Sequence, residues 1–165
     1  MKTIILVRHA KSSWEDFKVK DFDRPLNDRG LRDAPAMAER LKKRGVLPDL
    51  LVSSTAKRAR KTARLFAEAL GIEKEAVLLR EELYLAEPDV FEKLISSLDD
   101  RYSTVAIYAH NPGITAFANR SRVAEVDDMP TCSVFAYAAE AADWKGVAAA
   151  PKKFLFFDQP KHPAS

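Results

Sequence analysis

The sequence is poor in the residues that stabilise small secreted domains or bind structural metals. It has one cysteine, Cys132, and only three histidines, His9, His110 and His162. A single cysteine cannot form an internal disulfide, and so few soft ligands argue against a structural zinc site. We therefore expect neither a disulfide framework nor a bound metal.

Long hydrophobic runs are absent, and glycine is scarce. The apolar stretch at residues 4–7 is far shorter than the roughly 18 residues that a membrane-spanning helix needs, and it is too short for a signal-peptide core. With 5 glycines, 47% hydrophobic and 31% charged residues, the composition excludes collagen-like and disordered chains. We expect a cytoplasmic protein without membrane contact, one domain over residues 1–165 with a disordered tail at 162–165.

Positive charge is in slight excess and is unevenly distributed. The chain has 27 lysines and arginines against 24 acidic residues, a net charge of +3, and much of the excess lies in residues 40–64. This distribution predicts a basic patch rather than a uniformly basic molecule. Such a patch suits an anionic substrate or a nucleic acid.

Hydrophobic patterning predicts strands that alternate with helices over most of the chain. The predicted strands cover residues 3–7, 49–52, 76–80, 104–109, 132–138 and 153–157. The predicted helices cover residues 30–44, 88–98, 112–121 and a segment capped by Ser54 or Thr55 that ends at Gly71. Asn111 is the predicted cap of the helix that starts at Pro112. A long polar loop, residues 10–29, follows the first strand, and loops of this length are often functional.

This alternation predicts a three-layer α/β/α sandwich around a mostly parallel sheet. The first and fourth strands should be central, because they are continuous apolar runs of the kind found in strands covered on both faces. The last two strands should form an antiparallel pair at the sheet edge.

Basic and imidazole side chains lie where predicted strands end. Arg8 and His9 follow the first strand, His110 follows the fourth, and Arg58 lies one turn into the helix after the second. Ligands of open α/β sheets bind at the carboxyl ends of the strands, so we expect one shared anion site. Arginine matches phosphate oxygens with a planar fork of donors, and histidine can act as a nucleophile towards phosphorus.

Three segments, in this order, resemble the motifs of the histidine phosphatase superfamily. They are Leu6-Val7-Arg8-His9-Ala10, similar to the Arg-His-Gly signature, then residues 53–63 and residues 109–113. Within the superfamily, the segment Arg24-Pro25-Leu26 and the short C-terminal part with Trp144 resemble the SixA branch of phosphohistidine phosphatases. The resemblance extends from Met1 to about Pro160 and implies a phosphoglycerate-mutase-like fold.

The resemblance implies specific roles for these residues. His9 is the implied nucleophile, which forms a phosphohistidine intermediate, and the implied groups that bind the phosphoryl oxygens are Arg8, Arg58 and His110. No cofactor or metal is required. Arg24 would flank the pocket, although it can equally serve only to hold the loop through surface salt bridges.

Further candidates come from positions near the motifs. We consider Lys11, Ser12 and Asn111 as substrate contacts, and Glu81 or Glu82 as a general acid, because larger superfamily members use a carboxylic acid. Ala10 replaces the signature glycine, and we expect that only a small side chain is needed there.

The expected function is that of a metal-independent phosphohistidine phosphatase acting on a partner protein, with the monomer as the expected state. The alternatives are a small-molecule phosphomonoesterase or mutase using the same site, a phosphate sensor, and a nucleic-acid-binding module suggested by residues 57–61. The last is disfavoured because this run has no interleaved aromatic residue for base stacking.

Overall fold

The computed structural model describes residues 1–160 of the chain, so His162 and the predicted tail at residues 162–165 lie outside the described residues. The strands are β1 (Lys2–Arg8), β2 (Leu50–Ser54), β3 (Leu78–Arg80), β4 (Thr104–Ala109), β5 (Val134–Ala139) and β6 (Lys152–Asp158). The helices are α1 (Asp28–Arg44), α2 (Lys57–Leu70), α3 (Pro88–Ser96) and α4 (Gly113–Arg120). No helix in residues 1–160 is long and apolar enough to cross a bilayer.

The strands form one mixed sheet in the order β3-β2-β4-β1-β5-β6. The first four strands of the chain run parallel to one another, and β5 pairs antiparallel with both β1 and β6. β1 and β4 occupy the centre. The predicted α/β fold, with its central first and fourth strands and its antiparallel C-terminal pair, is confirmed.

The sheet lies between two layers of helices, and a hydrophobic core fills the space on each of its faces. Successive side chains of a strand point to opposite faces, so the fully buried Ile4 and Ile5 of β1 belong to different cores. Ile4 shares its core with Phe91 of α3, whereas Ile5 shares its core with Met37 of α1 and Phe66 of α2. β1 is thus covered on both faces, as its continuous apolar sequence predicts.

The helix ends agree with the sequence in part. α1 and α2 end at Gly45 and Gly71, which adopt left-handed φ values of 75° and 74°. The predicted cap of α2 is wrong: the N-cap is Ala56, without a side-chain cap bond, and the hydroxyl of Ser54 instead contacts His110.

The predicted cap of α4 is also wrong, because the N-cap is Pro112 and the helix begins at Gly113. The Oδ1 atom of Asn111 accepts a hydrogen bond from the hydroxyl of Thr115 rather than from a backbone N–H group. The Asn111–Pro112 peptide bond is cis.

The loop at residues 10–29 has internal structure of its own. It contains one turn of 3₁₀ helix, Asp21–Asp23, and an isolated bridge between Ser12 and Leu26. The loop packs against the start of α1, where a Cβ atom on Gly30 would lie 2.2 Å from the carbonyl oxygen of Lys11. Only glycine allows this close approach, which holds the loop beside the carboxyl end of β1.

Candidate active site

A pocket of about 190 Å³ lies at the sheet edge where β1 and β4 end. Its lining consists of Arg8, His9, Lys11, Ser12, Trp14, Arg24, Arg58, Leu85, His110, Asn111 and Thr131. The structure therefore brings the three motif segments, and the candidate contacts between them, into one place. The topology explains this convergence, because parallel strands present their carboxyl ends at the same edge.

His9 is buried, and its hydrogen bonds define which ring nitrogen is free to react. Its Nδ1 atom lies 2.8 Å from the carbonyl oxygen of Ala10. A carbonyl can only accept a hydrogen bond, so Nδ1 carries the proton and Nε2 keeps a lone pair. The Nε atom of Arg58 donates to this Nε2 atom over 3.3 Å. The reactive nitrogen therefore faces a guanidinium group.

The environment keeps the His9 ring neutral. Burial lowers the pKa of His9 well below 6.5, and the nearby His110, Arg58 and Arg8 lower it further, against the opposing effect of the Ala10 carbonyl. A neutral imidazole has the lone pair that attack on phosphorus needs.

His110 lies beside His9 and has one ring nitrogen without a partner. The ring centroids of the two histidines are 5.1 Å apart. The Nε2 atom of His110 lies 2.7 Å from the hydroxyl oxygen of Ser54, while its buried Nδ1 atom has no hydrogen-bond partner within residues 1–160. Burial and the charge of Arg58 lower the pKa of His110 to about 3. The free protein therefore carries a neutral His110, and a bound phosphoryl dianion would raise its pKa.

Arg8 also keeps donors available. Its Nη1 atom donates to the carbonyl of Met129 over 2.8 Å, whereas its buried Nε atom has no hydrogen-bond partner in the described part of the chain. Buried donors without partners are rare and costly in proteins. A phosphoryl oxygen would satisfy such a donor.

Asp21, which the sequence analysis did not single out, connects the arginines of the site. Arg58 donates through Nη1 to the Asp21 carbonyl oxygen over 2.7 Å and through Nη2 to Oδ2 over 3.0 Å. Arg24 donates to Oδ1 over 3.2 and 3.0 Å, and the hydroxyl of Tyr84 donates to Oδ2 over 2.5 Å. Burial would raise the pKa of Asp21, but these hydrogen bonds and the charge of Arg58 lower it to about 2. Asp21 is therefore an ionised carboxylate that orients Arg58.

Arg24 both lines the pocket and holds the loop, so the two interpretations of this residue are compatible. It is 6% exposed, and its Nη1 atom donates to the hydroxyl of Ser12 over 2.5 Å. Its guanidinium carbon lies 3.5 Å from the ring centre of the exposed Trp14. Stacking and hydrogen bonding together fix this side chain at the rim.

The residue after His9 lies where only a small side chain fits. Ala10 is fully buried and is not among the residues with positive φ. Its N–H group donates to Thr62 Oγ1 over 2.9 Å, and the Thr62 hydroxyl donates to the carbonyl of Arg58 over 2.8 Å. Thr62 therefore links the loop after β1 to α2.

The structure does not bring Glu81 and Glu82 into the pocket. Both side chains are exposed on a one-turn 3₁₀ helix, Glu81–Leu83, and neither belongs to the pocket lining. Residues just beyond them do reach the site, since Leu85 lines the pocket and Tyr84 contacts Asp21. Within residues 1–160 no group of three or more His, Cys, Asp or Glu side chains is arranged to hold a metal ion.

The sequence did not indicate three residues that line the pocket, Trp14, Leu85 and Thr131, or two that support it from outside the lining, Asp21 and Tyr84. All five lie outside the α-helices and strands, where no hydrophobic period indicates direction. The one available signal was Trp14, an aromatic residue in the polar loop that follows His9.

Comparison with known families identifies the class of protein. The sequence profile of the histidine phosphatase superfamily (branch 1) matches residues 4–87, which include His9 and Arg58. The chain belongs to this superfamily. Its membership supports a phosphatase or mutase activity.

Relatives in sequence extend the similarity beyond the first half of the chain. An uncharacterized Mycobacterium leprae protein is 36% identical over 115 residues, 68% of each chain. An uncharacterized chloroplastic protein of Arabidopsis thaliana is 46% identical over 63 residues, 38% of this chain but only 29% of the plant protein. A 2,3-bisphosphoglycerate-dependent phosphoglycerate mutase of Sphingopyxis alaskensis is 37% identical over 73 residues, 43% of this chain and 32% of the mutase.

The solved structures point to a narrower group. The crystal structure of a candidate phosphohistidine phosphatase SixA from Agrobacterium tumefaciens has a TM-score of 0.78 and 26% identity over 97% of this chain and 99% of that chain. The expected resemblance to the SixA branch is confirmed.

Proposed function

We propose that the protein is a metal-independent phosphohistidine phosphatase whose nucleophile is His9. The observation that carries the proposal is the buried, neutral His9 ring, whose Nε2 lone pair lies 3.3 Å from the Arg58 guanidinium. Arg8 and His110 contribute further buried nitrogens without partners to the same pocket. This arrangement suits a phosphoryl group, whose oxygens carry the charge in the transition state.

The proposed reaction has two displacements at phosphorus. In the first, the Nε2 atom of His9 forms a bond to phosphorus as the phosphorus–nitrogen bond to the substrate imidazole breaks, and the leaving ring takes a proton from solvent. In the second, water attacks the phosphorylated His9, which releases inorganic phosphate and restores the free imidazole. Arg8 and Arg58 neutralise the phosphoryl oxygens throughout.

The lack of a protonated carboxylic acid in the described lining of the pocket favours a nitrogen leaving group. No aspartate or glutamate lines the pocket within the described residues, and the nearby Asp21 is held ionised. An alkoxide needs a proton donor to leave, whereas the nitrogen of a phosphoramidate can be protonated by solvent before its bond to phosphorus breaks.

The second candidate, a small-molecule phosphatase or mutase, is supported by the partial match to phosphoglycerate mutases.

The test is phosphate release from a histidine-phosphorylated peptide in the presence of EDTA, with a phosphoserine peptide alongside. We expect release from phosphohistidine alone and its loss in His9→Ala. The matched control, His162→Ala, should retain full activity. Equal release from both peptides would support the small-molecule alternative, and EDTA-sensitive release would contradict the metal-independent mechanism.

A further inference from the structure

Helix α2 has a second charged face that the proposed reaction does not use. Four cationic residues are spaced three, one and three positions apart along α2 and therefore lie on one side of the helix. They are Lys57, Arg60, Lys61 and Arg64. With Pro25, Leu26 and Leu31 they line a groove of about 330 Å³, which we call the α2 groove. Arg58, on the same helix, lines the pocket instead.

The charges of the α2 groove are not neutralised by the protein itself. Within residues 1–160, none of its four cations makes a salt bridge, and no aspartate or glutamate belongs to its lining. The Nε atom of Arg60 is buried and has no hydrogen-bond partner in the described structure. Neighbouring like charges repel one another, so a negatively charged partner would gain from binding here.

The apolar part of the groove indicates what kind of anion it suits. Leu31 is 42% exposed and Pro25 is also exposed, while Leu26 is nearly buried. No aromatic side chain lines the groove, and base stacking on aromatic rings is the usual means of holding single-stranded nucleic acid. Aliphatic contacts beside cations fit a protein segment with acidic and aliphatic residues.

The groove and the pocket are continuous along the chain. Arg24 lines the pocket and the next residue, Pro25, lines the groove; likewise Lys57 lines the groove and Arg58 the pocket. Because these pairs are adjacent in sequence, the groove lies beside the pocket and within reach of a polypeptide whose phosphohistidine enters the pocket.

We propose that the α2 groove docks an acidic, aliphatic segment of the phosphohistidine-bearing protein on which the pocket acts. This inference rests on the proposed function, and it adds a determinant of which proteins are substrates. The groove raises the rate through binding and steering, whereas the chemistry stays with the residues of the pocket.

The experiment uses two fluorescent phosphohistidine peptides that differ only in one flank, which is rich in Glu and Leu in one peptide and in Lys and Leu in the other. The test variant combines Lys61→Glu with Arg64→Glu. The control combines Lys42→Glu with Lys43→Glu, which changes the net charge equally on exposed residues outside the groove. Free phosphohistidine serves as the substrate that cannot reach the groove.

For the wild type and the control variant we expect kcat/KM to be about tenfold or more higher on the acidic peptide than on the basic one. The test variant should lose this preference and still hydrolyse free phosphohistidine at the wild-type rate. A wild type without preference, or an equal loss on free phosphohistidine, would overturn the docking role.

A binding measurement distinguishes failure of the docking proposal from failure of the proposed phosphatase activity. Fluorescence anisotropy with the unphosphorylated peptides needs no chemistry, so an inactive wild type that still prefers the acidic peptide would contradict the proposed activity and leave the groove as an acidic-segment site. If the wild type instead binds a fluorescent single-stranded RNA and not the acidic peptide, the partner is a nucleic acid and the inference fails.

Discussion

At the scale of single residues, the ionised carboxylate of Asp21 links three other side chains of the site by hydrogen bonds. It accepts hydrogen bonds from Arg58, Arg24 and Tyr84, and Arg58 in turn donates to His9. The orientation of the Arg58 guanidinium group towards the His9 ring therefore depends on a residue that does not line the pocket. We interpret Asp21 as a positioning residue.

Replacing Asp21 with Asn should lower kcat on a phosphohistidine peptide about tenfold, because a small misplacement of a catalytic group costs rate. The affinity for inorganic phosphate, measured by inhibition, should change much less, since the arginines remain. Asp23→Asn, in the same 3₁₀ turn but exposed, is the matched control and should behave like the wild type. A kcat for Asp21→Asn equal to that of the wild type would contradict the positioning role.

The protonation state of His9 can be measured directly. Because burial lowers its pKa well below 6.5, its ring signals in NMR spectra should titrate with a midpoint well below the ordinary one in the native protein. The denatured chain should show the ordinary midpoint of about 6.5. A native midpoint near that value would mean that the nucleophile is largely protonated in weak acid, against the proposed mechanism.

The sequence predicted the side chains that follow strands and three residues of the loop at 10–29, Lys11, Ser12 and Arg24, but it did not predict Asp21. His9 and His110 follow apolar runs, and topology alone brings such positions together. Asp21 is one of several acidic residues in a loop without a repeating pattern, and its partner Tyr84 is 63 positions away. Such a long-range pair leaves no local signal in a single sequence.

At the scale of structural elements, Thr62 connects α2 with the segment after β1. Its hydroxyl accepts from the Ala10 N–H group and donates to the carbonyl of Arg58. This single fully buried side chain fixes the distance between the segment that carries His9 and the helix that carries Arg58.

Thr62→Val should lower the free energy of unfolding by about 1–3 kcal/mol, because it leaves the buried Ala10 N–H group without an acceptor. Urea denaturation measures the change. Thr62→Ser keeps the hydroxyl and should recover most of the loss. Equal stabilities of the Val and Ser variants would show that the hydrogen bonds of Thr62 do not stabilise this junction.

The glycines that end α1 and α2 were easier to predict than the residues that cap the starts of α2 and α4. A left-handed cap favours glycine on its own, so Gly45 and Gly71 mark the ends of α1 and α2. Side-chain caps depend on tertiary contacts: the Ser54 Oγ atom accepts from the N–H group of Ala56, the N-cap residue, and also contacts His110. The sequence alone does not show the contact with His110.

At the scale of the whole molecule, the fold buries two neutral imidazoles, those of His9 and His110, close together in a pocket that arginines also line. His9 is 6% exposed and His110 is 1% exposed, and burial lowers the pKa of both. In the unfolded chain both rings become protonated below about pH 6.5, whereas in the folded chain His110 stays neutral until about pH 3. The unfolded state thus binds more protons in this range, and acid favours it.

The free energy of unfolding should therefore fall as the pH is lowered from about 7 to 5, by at most about 1.4 kcal/mol per pH unit for each histidine. Urea midpoints across this range measure the slope. His110→Gln should reduce it, because one of the two histidines whose pKa is lowered by folding is removed. Stability that stays constant over this range would contradict the burial of neutral histidines.

In the proposed mechanism His9 becomes phosphorylated during turnover, and this can be measured directly. The protein is mixed with a histidine-phosphorylated peptide, quenched rapidly in alkali to preserve phosphoramidate bonds, digested and sequenced by mass spectrometry. We expect a phosphoryl group on His9 at early times, which decays as free phosphate appears, and no label in His9→Ala. A phosphoryl group on His110 or on any other residue, or full turnover by His9→Ala, would contradict the proposed mechanism.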